Sequence, residues 1–129
     1  MPVDKNIKIL IVEDNEKIRS LLKGLLVNIG FTNLFEADNG QNAWDKMQAY
    51  DFDLVLSDWM MPVMDGIELL KKIRADENFK NTPVLLITAS DSQESVIEAA
   101  KHHVNGYIVK PFSIKTIVQK INEVFNTTE

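Results

Sequence analysis

Five side chains suited to acid, metal or phosphoryl chemistry come at or directly after the ends of short apolar runs. Glu13 and Asp14 follow the first run and Asp58 follows the third. Thr88 ends the fourth run, and Lys110 follows the fifth. If the runs are parallel strands, these side chains meet at one edge of a sheet, where ligands of such sheets bind. Carboxylates crowded there repel one another unless a cation compensates, and oxygen ligands without His or Cys favour Mg²⁺ or Mn²⁺.

The same set of groups suits a phosphoryl group. The charge on its oxygens needs several positive or donor partners, which a metal ion, Lys110 and Thr88 would supply. A carboxylate can act as the nucleophile and form an acyl phosphate. Asp58 is the best-placed acceptor, because it ends a central strand and a loop follows at once. Glu13 and Asp14 are then candidate metal ligands.

The elements that must position these groups follow from hydrophobic periodicity. Short β-branched runs alternate with longer amphipathic stretches, which predicts five βα units in an α/β fold. Strands are predicted at 7–12, 34–37, 54–56, 84–88 and 107–109. Right-handed crossovers place helices on both faces of such a sheet, so we predict a doubly wound, five-stranded parallel sheet with five helices.

The predicted helices carry apolar residues at helical spacing. The first has Ile18, Leu21, Leu22, Leu25, Leu26 and Ile29, and the second has Ala43, Trp44 and Met47; the third has Ile67, Leu70 and Ile73, the fourth Val96, Ala99 and Ala100, and the fifth Ile114, Ile117, Val118, Ile121 and Phe125. Gly30 is expected to end the first helix, and Ser113 to cap the last. Asp91 to Glu94 resembles a capping box for the fourth.

Composition excludes several classes of function. The chain has 129 residues, of which 45% are hydrophobic, enough for one domain with its own core. It has no cysteine, so disulfides and thiolate metal sites are excluded. The formal net charge of -5 disfavours nucleic acid as a partner. No apolar run is long enough for a membrane span or a signal peptide, so we expect a cytoplasmic protein.

Four segments resemble those of response-regulator receiver domains. They read ILIVED at 9–14, LSDWMMPVMDG at 56–66, ITA at 87–89 and GYIVKPF at 106–112. The similarity spans nearly the whole chain, and the segment around Asp58 and Trp59 is most similar to the chemotaxis regulators of the family. The resemblance implies a flavodoxin-like strand order of 2-1-3-4-5. It also implies a single receiver domain over residues 1–129 without an output domain.

The resemblance assigns a role to each site residue. Asp58 would accept a phosphoryl group from a histidine kinase and bind Mg²⁺ with Asp14 and the backbone carbonyl of Met60, while Glu13 would act through water. Thr88 and Lys110 would contact phosphoryl oxygens. Tyr107 would turn inward when Thr88 moves toward the phosphate. Met60 and Ser90 would tune hydrolysis, and the Lys110–Pro111 bond resembles one that is often cis in the family.

The same resemblance sets expectations about partners. A phosphorylated chain would dock through its fourth helix, fifth strand and fifth helix onto a downstream protein, such as a component of the flagellar motor switch. A phosphatase is a further expected partner, and the chain is expected to be a monomer. It would be a phosphoacceptor switch rather than an enzyme, limited to phosphotransfer onto itself and its own dephosphorylation.

Other interpretations remain open at this stage. Taken alone, Asp58 could begin a turn, and Glu13 and Asp14 could complement the dipole of the first helix. A Mg²⁺-dependent phosphohydrolase with an aspartyl-phosphate intermediate is the main alternative, although such enzymes of the haloacid-dehalogenase type carry a D-x-D pattern after the first strand. A flavodoxin-like electron carrier would need a phosphate-binding loop where this chain has acids.

Two further features have structural explanations. Met61 and Met64 are expected to pack beneath the loop that follows Asp58. His102 and His103 are not expected to share a metal, because adjacent helix residues face different ways. His103 stands where a left-handed helix end is common, which leaves the local geometry open.

Overall fold

Five strands alternate with five helices along the chain. The computed structural model describes residues 3–89 and 93–125, with only the backbone described for residues 93–96. The strands are β1 Lys8–Val12, β2 Asn33–Ala37, β3 Leu54–Asp58, β4 Val84–Thr88 and β5 Gly106–Val109. The helices are α1 Glu16–Ile29, α2 Gly40–Ala49, α3 Gly66–Ala75, α4 Gln93–Lys101 and α5 Ile114–Val124. The five predicted βα units are confirmed, with strand ends shifted by one or two residues.

The strands form one parallel sheet in the order β2-β1-β3-β4-β5. Successive side chains of a strand point to opposite faces. Leu10 and Val12 therefore join a core with α2 and α3, whereas Ile9 and Ile11 join a second core with α1 and α5. Both faces of the sheet are covered, so the doubly wound arrangement is confirmed.

Local capping places the helix ends beside the sheet. Asn15 caps α1 by accepting a hydrogen bond from the backbone N–H of Ile18, and Gly30 ends α1 with a φ of 121°. Asp65 and Glu68 form a reciprocal capping box at α3, and Ser113 caps α5 as predicted. The capping box predicted at Asp91 to Glu94 lies outside the residues whose side chains are described.

The inward faces of three helices are narrower than their periodicity predicts. Leu21 is 55% exposed, while Leu22 and Leu26 are fully buried on the same helix. Ala100 and Ile114 are also exposed. A helix packed on a sheet buries one stripe of residues, so apolar residues at the margins of that stripe stay in solvent. The inward placement predicted for these three residues was wrong.

Backbone conformation settles two open points. The Lys110–Pro111 peptide bond is cis, as the resemblance implied. His103 adopts a left-handed φ of 60°, so it serves the helix end where glycine is common. Within residues 3–89 and 93–125, no helix combines the length and apolar character required to cross a bilayer.

The β3–α3 loop packs closely on the strand that precedes it. The backbone N–H of Gly66 donates to the carbonyl of Trp59 at 2.8 Å. A Cβ on Gly66 would lie 2.5 Å from the carbonyl oxygen of Asp58 and 3.0 Å from a methyl of Leu86. Glycine at 66 therefore lets the loop return to the end of β3. Met64 is buried beneath this loop and Met61 packs against the core, as expected.

We expect Gly66→Ala to destabilise the protein by about 1–3 kcal/mol, because backbone rather than a flexible side chain blocks the added methyl group. Gly24→Ala is the matched control, since nothing lies within 4 Å of a Cβ at that position in α1. It should stabilise the helix by up to about 1 kcal/mol. Urea denaturation would measure both variants, and equal stability of the two would contradict this account of Gly66.

Candidate functional site: an acid–lysine cluster at the carboxyl edge of the sheet

Strand register brings the predicted site residues to the same level. Val12 is paired with Ser57, so Glu13 and Asp58 leave neighbouring strands side by side. Thr88 is paired with Val109 and its carbonyl accepts from the backbone N–H of Lys110 at 2.8 Å. The carboxyl ends of β1, β3, β4 and β5 therefore meet at one edge.

The charged groups at this edge form an acid–lysine cluster, consisting of Glu13, Asp14, Asp58 and Lys110. Carboxylate oxygens of the three acids lie within 4.8 Å of one another. Lys110 Nζ lies 3.2 Å from Asp58 Oδ1 and 3.4 Å from Glu13 Oε1. Glu13 and Asp58 are buried, whereas Asp14 is exposed, so the cluster opens to solvent beside Asp14. The structure thus brings together the residues that the sequence placed after separate strands.

The acid–lysine cluster contains more negative than positive groups. The pKa of Glu13 is raised from its ordinary value of 4.5 to about 7, and burial is the largest cause. Asp14 and Asp58 also raise it, and together with burial they outweigh the N–H of Asn15 and the ammonium of Lys110, which lower it. Burial would lower the pKa of Lys110, but Asp58 and Glu13 outweigh it and raise the pKa. One lysine therefore does not fully compensate three acids.

The donor set fits a hard divalent cation. Three carboxylates offer oxygen ligands that converge, and neither His102 nor His103 belongs to the group. Mg²⁺ is bound by one or two carboxylates, with water and other oxygens completing an octahedron. A cation would also relieve the repulsion that disfavours ionised Glu13. The backbone carbonyl of Met60, a residue that is 76% exposed, stays a predicted further ligand.

Asp58 is oriented through its backbone and its carboxylate. The N–H of Trp59 donates to Asp58 Oδ1 at 3.0 Å, and Ser57 Oγ donates to the Asp58 carbonyl at 2.9 Å. Thr88 is buried at the end of β4 beside this strand. Tyr107 is half-buried on β5, with Lys120 Nζ 5.7 Å from its ring centroid. Ser90 lies outside the described residues.

Sequence reasoning missed Arg19 and Glu36. Arg19 Nη1 donates to the backbone carbonyl of Glu13 at 2.8 Å, and its Nε donates to Glu36 Oε1 at 3.1 Å. The sequence does contain a signal for Arg19. It stands three and seven residues before Leu22 and Leu26, which are both buried, so the three residues share one face of α1. A charge in line with that apolar stripe indicates a polar partner on the sheet.

Comparison with known proteins identifies the family to which this chain belongs. Residues 9–122 match the family model described as the response regulator receiver domain. The chain belongs to that family. Two chemotaxis proteins of Vibrio cholerae are among its relatives. The chain is 51% identical over 123 residues to chemotaxis protein CheY-3 of serotype O1, covering 95% of each chain.

The second is the solved structure of chemotaxis protein CheY4, with a TM-score of 0.86 and 34% identity, covering 92% of this chain and 98% of that one. A third similar protein is the receiver domain of a sensor histidine kinase from Pseudomonas aeruginosa. Its TM-score is 0.85 at 25% identity, covering 95% of this chain and 99% of that one. That structure is described with a magnesium ion coordinated in the active site cleft.

The raised pKa of Glu13 predicts a pH dependence of stability. Metal-free folded protein binds a proton at Glu13 that the unfolded chain releases near pH 4.5, so the contribution of Glu13 to stability should fall as the pH rises from about 4.5 to 7. Glu13→Gln removes this contribution, and the variant should gain stability relative to wild type as the pH rises through this range. Urea denaturation in EDTA at several pH values would measure the difference. Glu16→Gln, at an exposed residue of α1, is the control, and a pH-independent difference for Glu13→Gln would contradict the prediction.

Proposed function

We propose that this chain is a phosphorylation-activated response regulator of two-component signalling that acts in chemotaxis. Membership of the receiver family and the chemotaxis names of two relatives support this assignment. The observation that carries it is the position of Asp58, a buried carboxylate whose Oδ1 contacts Lys110 among acids suited to a divalent cation. A histidine kinase as phosphodonor and a downstream protein are the partners that the proposal requires.

The chain's own residues account for the transfer. An oxygen of Asp58 forms a bond to phosphorus while the bond from phosphorus to the donor imidazole nitrogen breaks, leaving an acyl phosphate on Asp58. The N–H of Trp59 and the ammonium of Lys110 hold Oδ1 and so orient the carboxylate. Asp14, Asp58 and the backbone carbonyl of Met60 would hold a Mg²⁺ ion, with Glu13 acting through water, and the ion would supply charge neutralisation. Lys110 then has a phosphoryl oxygen as a partner in place of the Asp58 carboxylate.

The switch requires a path from Asp58 to a partner surface. Thr88 ends β4, the strand next to β3, and its hydroxyl is the proposed donor to a phosphoryl oxygen on Asp58. Tyr107 lies on β5, the neighbour of β4, and Ile97 on α4 is 47% exposed. Movement of Thr88 toward the phosphate would let Tyr107 move inward and reshape the face formed by α4, β5 and α5. A partner is selected only through its different affinity for the two states.

Incubation with acetyl phosphate and Mg²⁺ should place one phosphoryl group on each chain, observable as a mass increase in intact-protein mass spectrometry. The acyl phosphate should be labile to base. Asp58→Asn should abolish the labelling, because the amide is not a competent acceptor, whereas Asp51→Asn, at an exposed acid, should not. Labelling that survives Asp58→Asn would refute the acceptor. Sustained hydrolysis of a phosphate monoester such as p-nitrophenyl phosphate would instead indicate the phosphohydrolase, because a receiver's own dephosphorylation also releases phosphate from acetyl phosphate.

Thr88→Ala should uncouple the acceptor from the docking face. With beryllofluoride and Mg²⁺, amide chemical shifts of β5 and α5 should change in the wild type and change much less in this variant, while shifts around Asp58 still respond. Thr88→Ser keeps the hydroxyl and is the matched control, which should respond like the wild type. Equal responses of Thr88→Ala and wild type in β5 would show that this hydroxyl does not couple the two regions.

A further inference from the structure

Glu13, whose carbonyl belongs to the peptide unit that joins it to Asp14, is held from several directions. The N–H of Glu13 donates to the carbonyl of Ala37 at 3.0 Å, which extends the pairing of β1 with β2. Its carbonyl accepts from Arg19 Nη1 at 2.8 Å, and its Oε2 accepts from the N–H of Asn15 at 3.2 Å. Because this peptide carries two of the three acids, its orientation decides where both carboxylates lie.

Arg19 is itself held in place by an acid on the neighbouring strand. Its Nε lies 3.1 Å from Glu36 Oε1, and the second oxygen of Glu36 lies 3.2 Å from Lys23 Nζ. The Arg19 side chain is 18% exposed, so these contacts are partly shielded from solvent. Burial opposes ionisation of Glu36, but hydrogen bonds from Lys23 and Arg19 outweigh it and lower the pKa of Glu36. Glu36 is therefore a charged anchor at neutral pH.

The contact requires an arginine. The guanidinium presents Nε and Nη1 as donors in one rigid plane, so a single side chain spans the carboxylate of Glu36 and the carbonyl of Glu13. A lysine has the same charge on one nitrogen without this planar fork. Lys23, one turn further along α1, reaches Glu36 but has no contact with the Glu13 carbonyl among those described.

Arg19 acts on geometry rather than on the ionisation of the acids. The groups that shift the pKa of Glu13 are Asn15, Asp14, Asp58 and Lys110 in addition to burial, and Arg19 is not one of them. Without a bound cation, repulsion among the three acids favours a larger separation between Asp58 and the residues Glu13 and Asp14. A charge-assisted hydrogen bond on the Glu13 carbonyl opposes this separation.

We propose that Arg19, oriented by Glu36, is a positioning residue that holds the Glu13–Asp14 peptide ready to bind a divalent cation. The proposal rests on the function proposed above. It makes β2, which carries no acid of the cluster, a support of the metal site. Partners that orient metal ligands in this way typically change metal affinity by about 10–100-fold when they are removed.

Mg²⁺ titration of the full chain, followed by tryptophan fluorescence to which Trp59 contributes, tests the proposal. Arg19→Met should raise the Mg²⁺ dissociation constant about 10-fold, the lower end of the range for such partners. Arg19→Lys should recover only part of this loss, because it restores charge without the planar fork. Lys23→Met is the matched control, since it removes a cation from Glu36 and leaves both contacts of Arg19, and it should stay within about twofold of wild type.

A second measurement uses the metal-free protein. Hydrogen exchange of the Asn15 amide, which donates to Glu13 Oε2, should accelerate in Arg19→Met and remain unchanged in Lys23→Met. Should Arg19→Met not fold, Glu36→Ala releases the guanidinium from its anchor at a half-exposed position and should show the same direction of change in both measurements.

The outcomes separate this proposal from the proposed function. Wild-type Mg²⁺ affinity and Asn15 exchange in folded Arg19→Met, or an equal loss in Lys23→Met, would overturn the positioning role while labelling of Asp58 by acetyl phosphate still stands. Full recovery in Arg19→Lys would also overturn it, because charge alone would then suffice. Wild-type protein that neither binds Mg²⁺ nor accepts a phosphoryl group would overturn both proposals.

Discussion

Repulsion among three carboxylates facing a single ammonium group is the interaction on which this structure depends. Glu13 and Asp58 are buried, and Lys110 lies between them at 3.4 and 3.2 Å. The lysine makes the pair tolerable, yet the pKa of Glu13 is still raised to about 7. A cleft with excess negative charge stabilises a bound cation. An anion such as a phosphoryl group can then bind beside that cation, which is the electrostatic requirement of metal-assisted phosphoryl chemistry.

The fold holds these like charges together by attaching each to a different rigid element. Parallel strands end at one edge, so Glu13, Asp58 and Lys110 come from three strands whose hydrogen-bonded register cannot slip without moving buried side chains. Backbone contacts add precision. Gly66 lets the β3–α3 loop close on Asp58, and Arg19 fastens the Glu13 carbonyl to Glu36 on β2. Stability gained in two apolar cores is thereby used to maintain an electrostatically unfavourable edge.

This division of roles explains why the site and the proposed docking face can be separate. The acid–lysine cluster lies at strand ends, whereas Tyr107 lies on β5 and Lys120, over its ring, on α5. Charge added at Asp58 changes the balance around Lys110, whose backbone N–H is bonded to the carbonyl of Thr88. A local change in electrostatics thus has a covalent and hydrogen-bonded route to β5, which the proposed two-state switch requires.

Residue order and periodicity alone determined the α/β class and the five βα units. They also determined that the acids and the lysine lie at one edge of the sheet, because parallel strands place their carboxyl ends together. The strand order needed the family resemblance, since several orders satisfy the same periodicity, and the roles proposed for Thr88 and Tyr107 rest on that resemblance as well. Only the tertiary structure decided that Leu21, Ala100 and Ile114 face solvent, because packing against the sheet sets the width of the buried stripe on each helix. Only it revealed the Glu36–Arg19–Glu13 connection, because contacts between residues on β2, α1 and the end of β1 depend on how the elements pack and not on their spacing along the chain.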